Sequence, residues 1–159
     1  MKLAFFDVDG TLSVPRYLID GTYRIGAPKT EWIAFCKEHR ENSYEYCLTI
    51  PEVRAYAEQL KKEGVKLYVL SAVSSFYEKA AKTKFVKDHY PDLFDGFFYV
   101  NGDEEKLQVL SEMAALQEVA LSECVLVEDN FSLLLEALGK GIEPVHISML
   151  AAEKTEGEQ

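Results

Sequence analysis

Apolar runs alternate with longer amphipathic stretches along this chain. Leu3 to Phe6 is uniformly apolar and too short for an amphipathic helix, so the pattern predicts a buried strand. Val65 to Leu70, Phe97 to Val100, Cys124 to Val127 and Pro144 to Ile147 repeat the signal. Between them the period changes. Val53, Tyr56, Ala57 and Leu60 form one stripe on a helix from Pro51 to Glu63, ended by Gly64. Thr49-Ile50-Pro51-Glu52 has the pattern of a capping box with proline near the helix start. Further helices are predicted over Ser75 to His89, over Glu104 to Val119 with Leu107, Leu110, Met113, Ala114 and Leu116 inward, and over Phe131 to Leu138, which Gly139 ends. Strand and helix in alternation build right-handed crossovers. The predicted fold is α/β: a three-layer α/β/α, Rossmann-like, mainly parallel five-stranded sheet with ligands at the carboxyl ends of its strands.

The beat is interrupted once, between Val14 and Ile50, which reads as a small cap-like insertion after the first strand. Its first half, Val14 to Pro28, carries Pro15, Gly21, Gly26 and Pro28 and suits an ordered loop or irregular hairpin; Thr30 to His39 reads as a short helix. Arg16, Tyr17, Tyr23 and Arg24 could close over a substrate or simply cover the sheet edge. Residues 1–150 thus form a single domain with 14–50 inserted, and the polar stretch 151–159 is expected to be a mobile tail.

At 159 residues and 48% hydrophobic, the chain can bury a substantial core. Its net charge of −10 weighs against a general grip on nucleic acid or anionic membrane, and leaves a small substrate compatible. No apolar run approaches membrane-spanning length, and Met1 leads straight into the first strand, so a cytoplasmic location is expected. The cysteines, Cys36, Cys47 and Cys124, include no C-x-x-C pair and read as reduced thiols. Oligomeric state is open.

The chemistry begins where the first strand ends, in Phe5-Phe6-Asp7-Val8-Asp9-Gly10-Thr11-Leu12. Asp7 and Asp9 are two apart and point to one side in extended geometry. Gly10 permits a sharp turn, and the Thr11 hydroxyl could orient Asp7. Adjacent carboxylates repel unless a cation or proton lies between them, and Mg²⁺, which takes one or two carboxylates together with phosphate oxygens, suits such a site.

This string resembles, letter for letter, the first motif of the haloacid dehalogenase-like (HAD) phosphohydrolase superfamily, and later segments match in order. The resemblance implies that Asp7 attacks phosphorus and carries a phosphoaspartate, while Asp9 protonates the leaving oxygen and then activates water. An acid at Asp9 is absent from the dehalogenase and transport-ATPase branches, which favours a phosphatase. Val69-Leu70-Ser71-Ala72 looks like the second motif, with the Ser71 hydroxyl and the Ala72 amide on a phosphate oxygen. Phosphoryl transfer needs a fixed positive charge, for which the family uses lysine. Lys106 stands where that third motif is commonly found, with Lys79, Lys82, Lys84 and Lys87 as rivals whose spacing also fits a solvated helix face. Val125-Leu126-Val127-Glu128-Asp129-Asn130 resembles the fourth motif. It implies Asp129 as side-chain metal ligand beside Asp7 and the Asp9 carbonyl, and Glu128 as an outer or direct ligand. The family often adds an acid a few residues later, where this chain has Ser132, Leu133 and Leu134.

The resemblance thus implies a small-cap, Mg²⁺-dependent phosphomonoester hydrolase acting on a small phosphorylated metabolite. That metabolite could be a nucleotide, since Tyr77 to Lys106 is faintly like 5′-nucleotidase-type members and Trp32 or Tyr23 could stack on a base. Arg16, Tyr23 and Arg24, with Thr11 and Ala72, are the candidate substrate contacts. The alternatives are a non-catalytic protein that binds phosphate and Mg²⁺, and a phosphatase of polynucleotide ends, against which the acidic charge weighs.

Overall fold

The computed structural model describes residues 1–153. Its main sheet is parallel, built from β1 (Leu3–Phe6), β4 (Lys66–Ala72), β5 (Gly96–Val100), β6 (Cys124–Glu128) and β7 (Glu143–His146) in the order β5-β4-β1-β6-β7. The short strands β2 (Tyr17–Ile19) and β3 (Thr22–Arg24) make a separate antiparallel hairpin inside the insertion. The helices are α1 (Lys29–His39), α2 (Pro51–Lys62), α3 (Phe76–His89), α4 (Lys106–Leu116), α5 (Phe131–Gly139) and α6 (Ile147–Ala151). None is long and apolar enough to cross a membrane.

β1 is fully buried because it is the middle strand, and its two-residue period divides the core. Ala4 and Phe6 pack with Val53, Ala57 and Leu60 of α2 and Phe85 of α3; Leu3 and Phe5 pack with Leu107 and Leu110 of α4 and Leu133 of α5. The helices therefore lie on both faces. Phe6, fully shielded between Tyr56 and Phe94, shows what such burial contributes: its truncation to alanine costs about 3–5 kcal/mol.

Register sets the site. Phe6 stands opposite Val69 on one side and Val127 on the other, with β4 running three residues further and β6 one, so Asp7, Ser71 and Glu128 come to one edge of the sheet. The insertion closes at its neck, where Val14 and Leu48 exchange backbone hydrogen bonds of 2.7 and 3.2 Å. Its Phe35, Cys36 and Tyr44 join the same apolar cluster as Phe6 and Val8.

Several boundaries differ from the sequence reading. Thr49 does not cap α2: Ile50 is the N-cap, in extended conformation and without a side-chain bond, because Pro51 at the first helical position has no amide to satisfy. The predicted helix over Glu104 to Val119 begins as a 3₁₀ turn, Asp103–Glu105, which leaves Lys106 as the first residue of α4. Ile147 opens α6 rather than closing a strand. The expected tail begins inside α6 at Ala151, and its residues 154–159 lie outside the described residues.

Candidate active site

The turn after β1 is wound tightly: the Val8 carbonyl accepts the amides of Thr11 (3.1 Å), Leu12 (2.9 Å) and Ser13 (2.9 Å). Gly10 sits at φ +78°, where a side chain is strained, and a Cβ there would lie 2.3 Å from Asp129 Oδ2. Glycine is therefore required twice, for the turn and for the approach of Asp129. The Thr11 hydroxyl is buried with no partner among the described residues, so it does not orient Asp7 as the sequence suggested.

Asp7 is buried, and a buried carboxylate needs a partner. Lys106 supplies it, with Nζ 3.0 Å from Asp7 Oδ1, 2.9 Å from Glu128 Oε2 and 3.1 Å from Asp103 Oδ1. Burial works to lower the Lys106 ammonium, but Asp7 and Glu128 outweigh it and hold it above the ordinary lysine range. Burial pushes the Asp7 carboxyl up, against the pull of Lys106, and pushes Glu128 up with Asp7 adding to it.

Asp9 is held from the other side. Tyr44 and Tyr17 donate to its Oδ1 at 2.6 and 3.4 Å, and Lys82 Nζ lies 3.1 Å from its Oδ2. Burial, with the Asp9 charge adding to it, raises both phenols above their ordinary value, which keeps them protonated and donating. Lys82 is only 1% exposed, and it also contacts Ser71 Oγ (2.9 Å), the Ala72 carbonyl (2.5 Å) and Glu78 Oε2 (3.0 Å). Here the solvated-face reading of the four lysines is corrected for one of them. Lys79, Lys84 and Lys87 are exposed, Lys84 pairing with Asp88, but Lys82 belongs to the site. The signal was present: Glu78, Ala81, Lys82, Phe85 and Val86 share one helix stripe, so Lys82 rides on the inward face.

Of the insertion residues singled out, Tyr17 reaches Asp9, while Arg16, Tyr23 and Arg24 have other partners. Arg16 donates from Nε to the Tyr46 carbonyl (3.0 Å) and lies 4.6 Å over the Tyr23 ring, while Arg24 pairs with Glu31 at 3.4 Å. The cleft that Asp9 lines is bounded by Tyr17 and Trp32, both named from the sequence, and by Ile25 and Ala27. Trp32 stacks on Phe35 and gives its indole N–H to Glu78 Oε1 at 2.5 Å, which occupies one ring face and its donor.

On the β6 side, Glu128 is buried and Asp129 exposed. Asn130 caps α5 by accepting from the Leu133 amide and donates to Asp103 Oδ2 at 3.0 Å, steadying a carboxylate that faces Lys106. His146 Nε2 lies 3.1 Å from the Asp129 carbonyl with its ring stacked on Phe131. Leu133 and Leu134, at the reach where a further acid would stand, are core residues. Sequence reasoning missed Tyr44, Glu78, Asp103, Asn130 and His146; Tyr44 and His146 arrive through long-range contacts that no local pattern announces, whereas Glu78 and Asp103 stand four and three residues before the lysines they pair with and Asn130 is a helix cap.

Asp7, Glu128 and Asp129 each offer an oxygen, and these lie within 4.8 Å of one another. Six carboxyl groups (Asp7, Asp9, Glu78, Asp103, Glu128 and Asp129) converge here with two ammonium groups, Lys82 and Lys106. An all-oxygen set with surplus negative charge fits a hard divalent cation.

No family model matches this sequence, and no curated protein does. Among solved structures the chain is similar to D,D-heptose 1,7-bisphosphate phosphatase from B. bronchiseptica, complexed with magnesium and phosphate (15% identity, TM-score 0.60, covering 100% of this chain and 91% of that one). It is similar to the D,D-heptose 1,7-bisphosphate phosphatase of Burkholderia thailandensis (14%, TM-score 0.56, covering 99% and 89%). It is also similar to 3-deoxy-D-manno-octulosonate 8-phosphate phosphatase from Moraxella catarrhalis, in complex with magnesium, phosphate and KDO (19%, TM-score 0.51, covering 89% and 64%). Identities this low speak to architecture, and the parallel sheet ending in Asp7, Ser71 and Glu128 agrees with it: the chain shares the fold of these phosphatases.

Proposed function

We propose that this protein is a Mg²⁺-dependent phosphomonoester hydrolase acting on a small phosphorylated metabolite through a phosphoaspartate at Asp7. The observation that carries the reading is the division of labour at the end of β1: Asp7 is buried against Lys106, beside Glu128 and Asp129, while Asp9 faces the cleft under the insertion. The phosphatases of the same fold solved with magnesium and phosphate support it.

In this reading a carboxylate oxygen of Asp7 bonds to phosphorus as the ester P–O bond breaks, and Asp9 gives its proton to the departing alkoxide. Asp9 then takes a proton from a water molecule that attacks the phosphoaspartate. The P–O bond to Asp7 breaks, inorganic phosphate leaves, and the free carboxylate returns. Ser71, whose oxygen accepts from Lys82, keeps its hydroxyl hydrogen free to donate to a phosphoryl oxygen, and Lys106 offsets the charge gathering there. Asp7, Glu128 and Asp129 would hold Mg²⁺, which supplies charge neutralisation of the phosphoryl group and keeps Asp7 ionised.

The test is phosphate release from an aryl phosphate by the purified protein. Wild type with Mg²⁺ should turn over, and Asp7→Asn should fall by several orders of magnitude, since phosphomonoesters hydrolyse so slowly unaided. Chelation with EDTA should abolish turnover reversibly. Equal release by wild type, Asp7→Asn and EDTA-treated protein would defeat the proposal.

A further inference from the structure

Resting on that reading, we infer that Lys82 is a positioning residue for the proton-transfer step, fixing Asp9 in one geometry and tying it to the insertion through Glu78. An ammonium has three N–H donors, and here four oxygens surround it: Ser71 Oγ, the Ala72 carbonyl, Asp9 Oδ2 and Glu78 Oε2, all within 3.1 Å. At 1% exposure the group has no water to turn to, so its position is dictated by these partners. Asp9 consequently has both oxygens held, Oδ2 by Lys82 and Oδ1 by Tyr44 and Tyr17.

Glu78 extends the connection. Its Oε2 faces Lys82 while Oε1 accepts from the Trp32 indole and the Ser74 amide. A continuous path therefore runs from α1 of the insertion, through Trp32, Glu78 and Lys82, to the acid that faces the cleft. Lys106, by contrast, contacts Asp7, Asp103 and Glu128 and none of these atoms.

The two lysines therefore differ in what their loss should do. A lysine acting on the phosphoryl group is needed whatever alcohol departs. A lysine acting through Asp9 is needed in proportion to the basicity of the leaving oxygen, because a nitrophenolate departs almost unaided and an alkoxide must be protonated. A displacement of about 1 Å is enough to cost roughly 100-fold in rate.

The experiment compares 4-nitrophenyl phosphate with a simple alkyl phosphate in wild type, Asp9→Asn, Lys82→Met and the double variant Lys82→Met/Glu78→Gln, each checked for fold by thermal melting. Glutamine in the double variant keeps the acceptor for Trp32 and Ser74 and removes the carboxylate that Lys82 neutralises. The expected result is a fall in kcat of about 100-fold on the alkyl ester and under about 5-fold on the nitrophenyl ester in both Lys82 variants, with Asp9→Asn showing the same ordering. Equal losses on both esters overturn the inference and place Lys82 on the phosphoryl group. No loss on either, or a double variant that does not fold, also overturns it and leaves Lys82 as core support. A wild type inactive on both esters would instead remove the phosphatase reading itself.

Discussion

The two buried lysines flank β1 and answer to different charges. Lys106 faces three carboxylates, of which Asp7 and Glu128 are themselves buried, so its side of the strand is left with surplus negative charge. Lys82 faces two, and one of them, Asp9, has a side chain 41% exposed; its other partners are neutral oxygens. The Lys106 side carries the larger surplus and is suited to gain a cation. The other is closed and bound to the insertion. In the proposed mechanism the same residue type serves metal chemistry on one flank and geometry on the other, with only the surrounding acids to distinguish them.

The largest consequence is for stability. Lys106→Met strands two buried carboxyls, and breaking such a pair costs about 3–5 kcal/mol, which for a chain of this size lowers Tm by roughly 6–20 °C. Lys82→Met should cost less, since Asp9 can turn to water and Glu78 keeps the Trp32 and Ser74 donors. Melting curves recorded without metal that rank the variants the other way would break the comparison.

Next in size is the response to Mg²⁺. If the flank around Lys106 binds it, the ion at 100 times its Kd adds about 2.7 kcal/mol, or roughly 5–11 °C in Tm. Asp129→Asn should lose most of that rise and Lys82→Met should keep it. A rise retained in Asp129→Asn would place the ion elsewhere.

Smaller still is Gly10→Ala. Its Cβ would meet Asp129 Oδ2 at 2.3 Å, on top of the strain of φ +78°. A displaced ligand carboxylate should weaken Mg²⁺ by about 10–100-fold, as loss of supporting contacts does at metal sites, with the leaving-group preference unchanged. Calorimetric titration giving wild-type affinity would show that Asp129 has room to retreat.

Much of this was readable in advance, for identifiable reasons. The strands announce themselves because central parallel strands are buried on both faces and therefore uniformly apolar, as Leu3–Phe6 and Cys124–Val127 are. Asp7, Asp9 and Glu128/Asp129 stand at the ends of those strands, so finding the strands found the acids, while Ser71 and Lys106 were reached through the order of the family's motifs. Tyr44 was not readable: it is brought to Asp9 by the closure of the insertion, a contact thirty-five positions apart in sequence. Lys82 was legible in the periodicity of α3 but was outweighed by the presence of Lys79, Lys84 and Lys87, which do form a solvated face. The prominent Arg16, Tyr23 and Arg24 drew attention by their chemistry, and their partners prove to be Tyr46, Glu31 and each other.

The central place of β1 has a consequence for how the protein is made. Its residues are translated well before either neighbour: Leu3 waits for Lys66 and then for Cys124, and Phe6 for Val69 and Val127. At ~5–20 residues per second the wait for β6 lasts roughly 6–24 s on the ribosome, during which the Leu-Ala-Phe-Phe segment has no second strand to cover it. Asp7, at the end of that segment, therefore acquires Lys106 and Glu128 only after more than a hundred further residues have been joined to it.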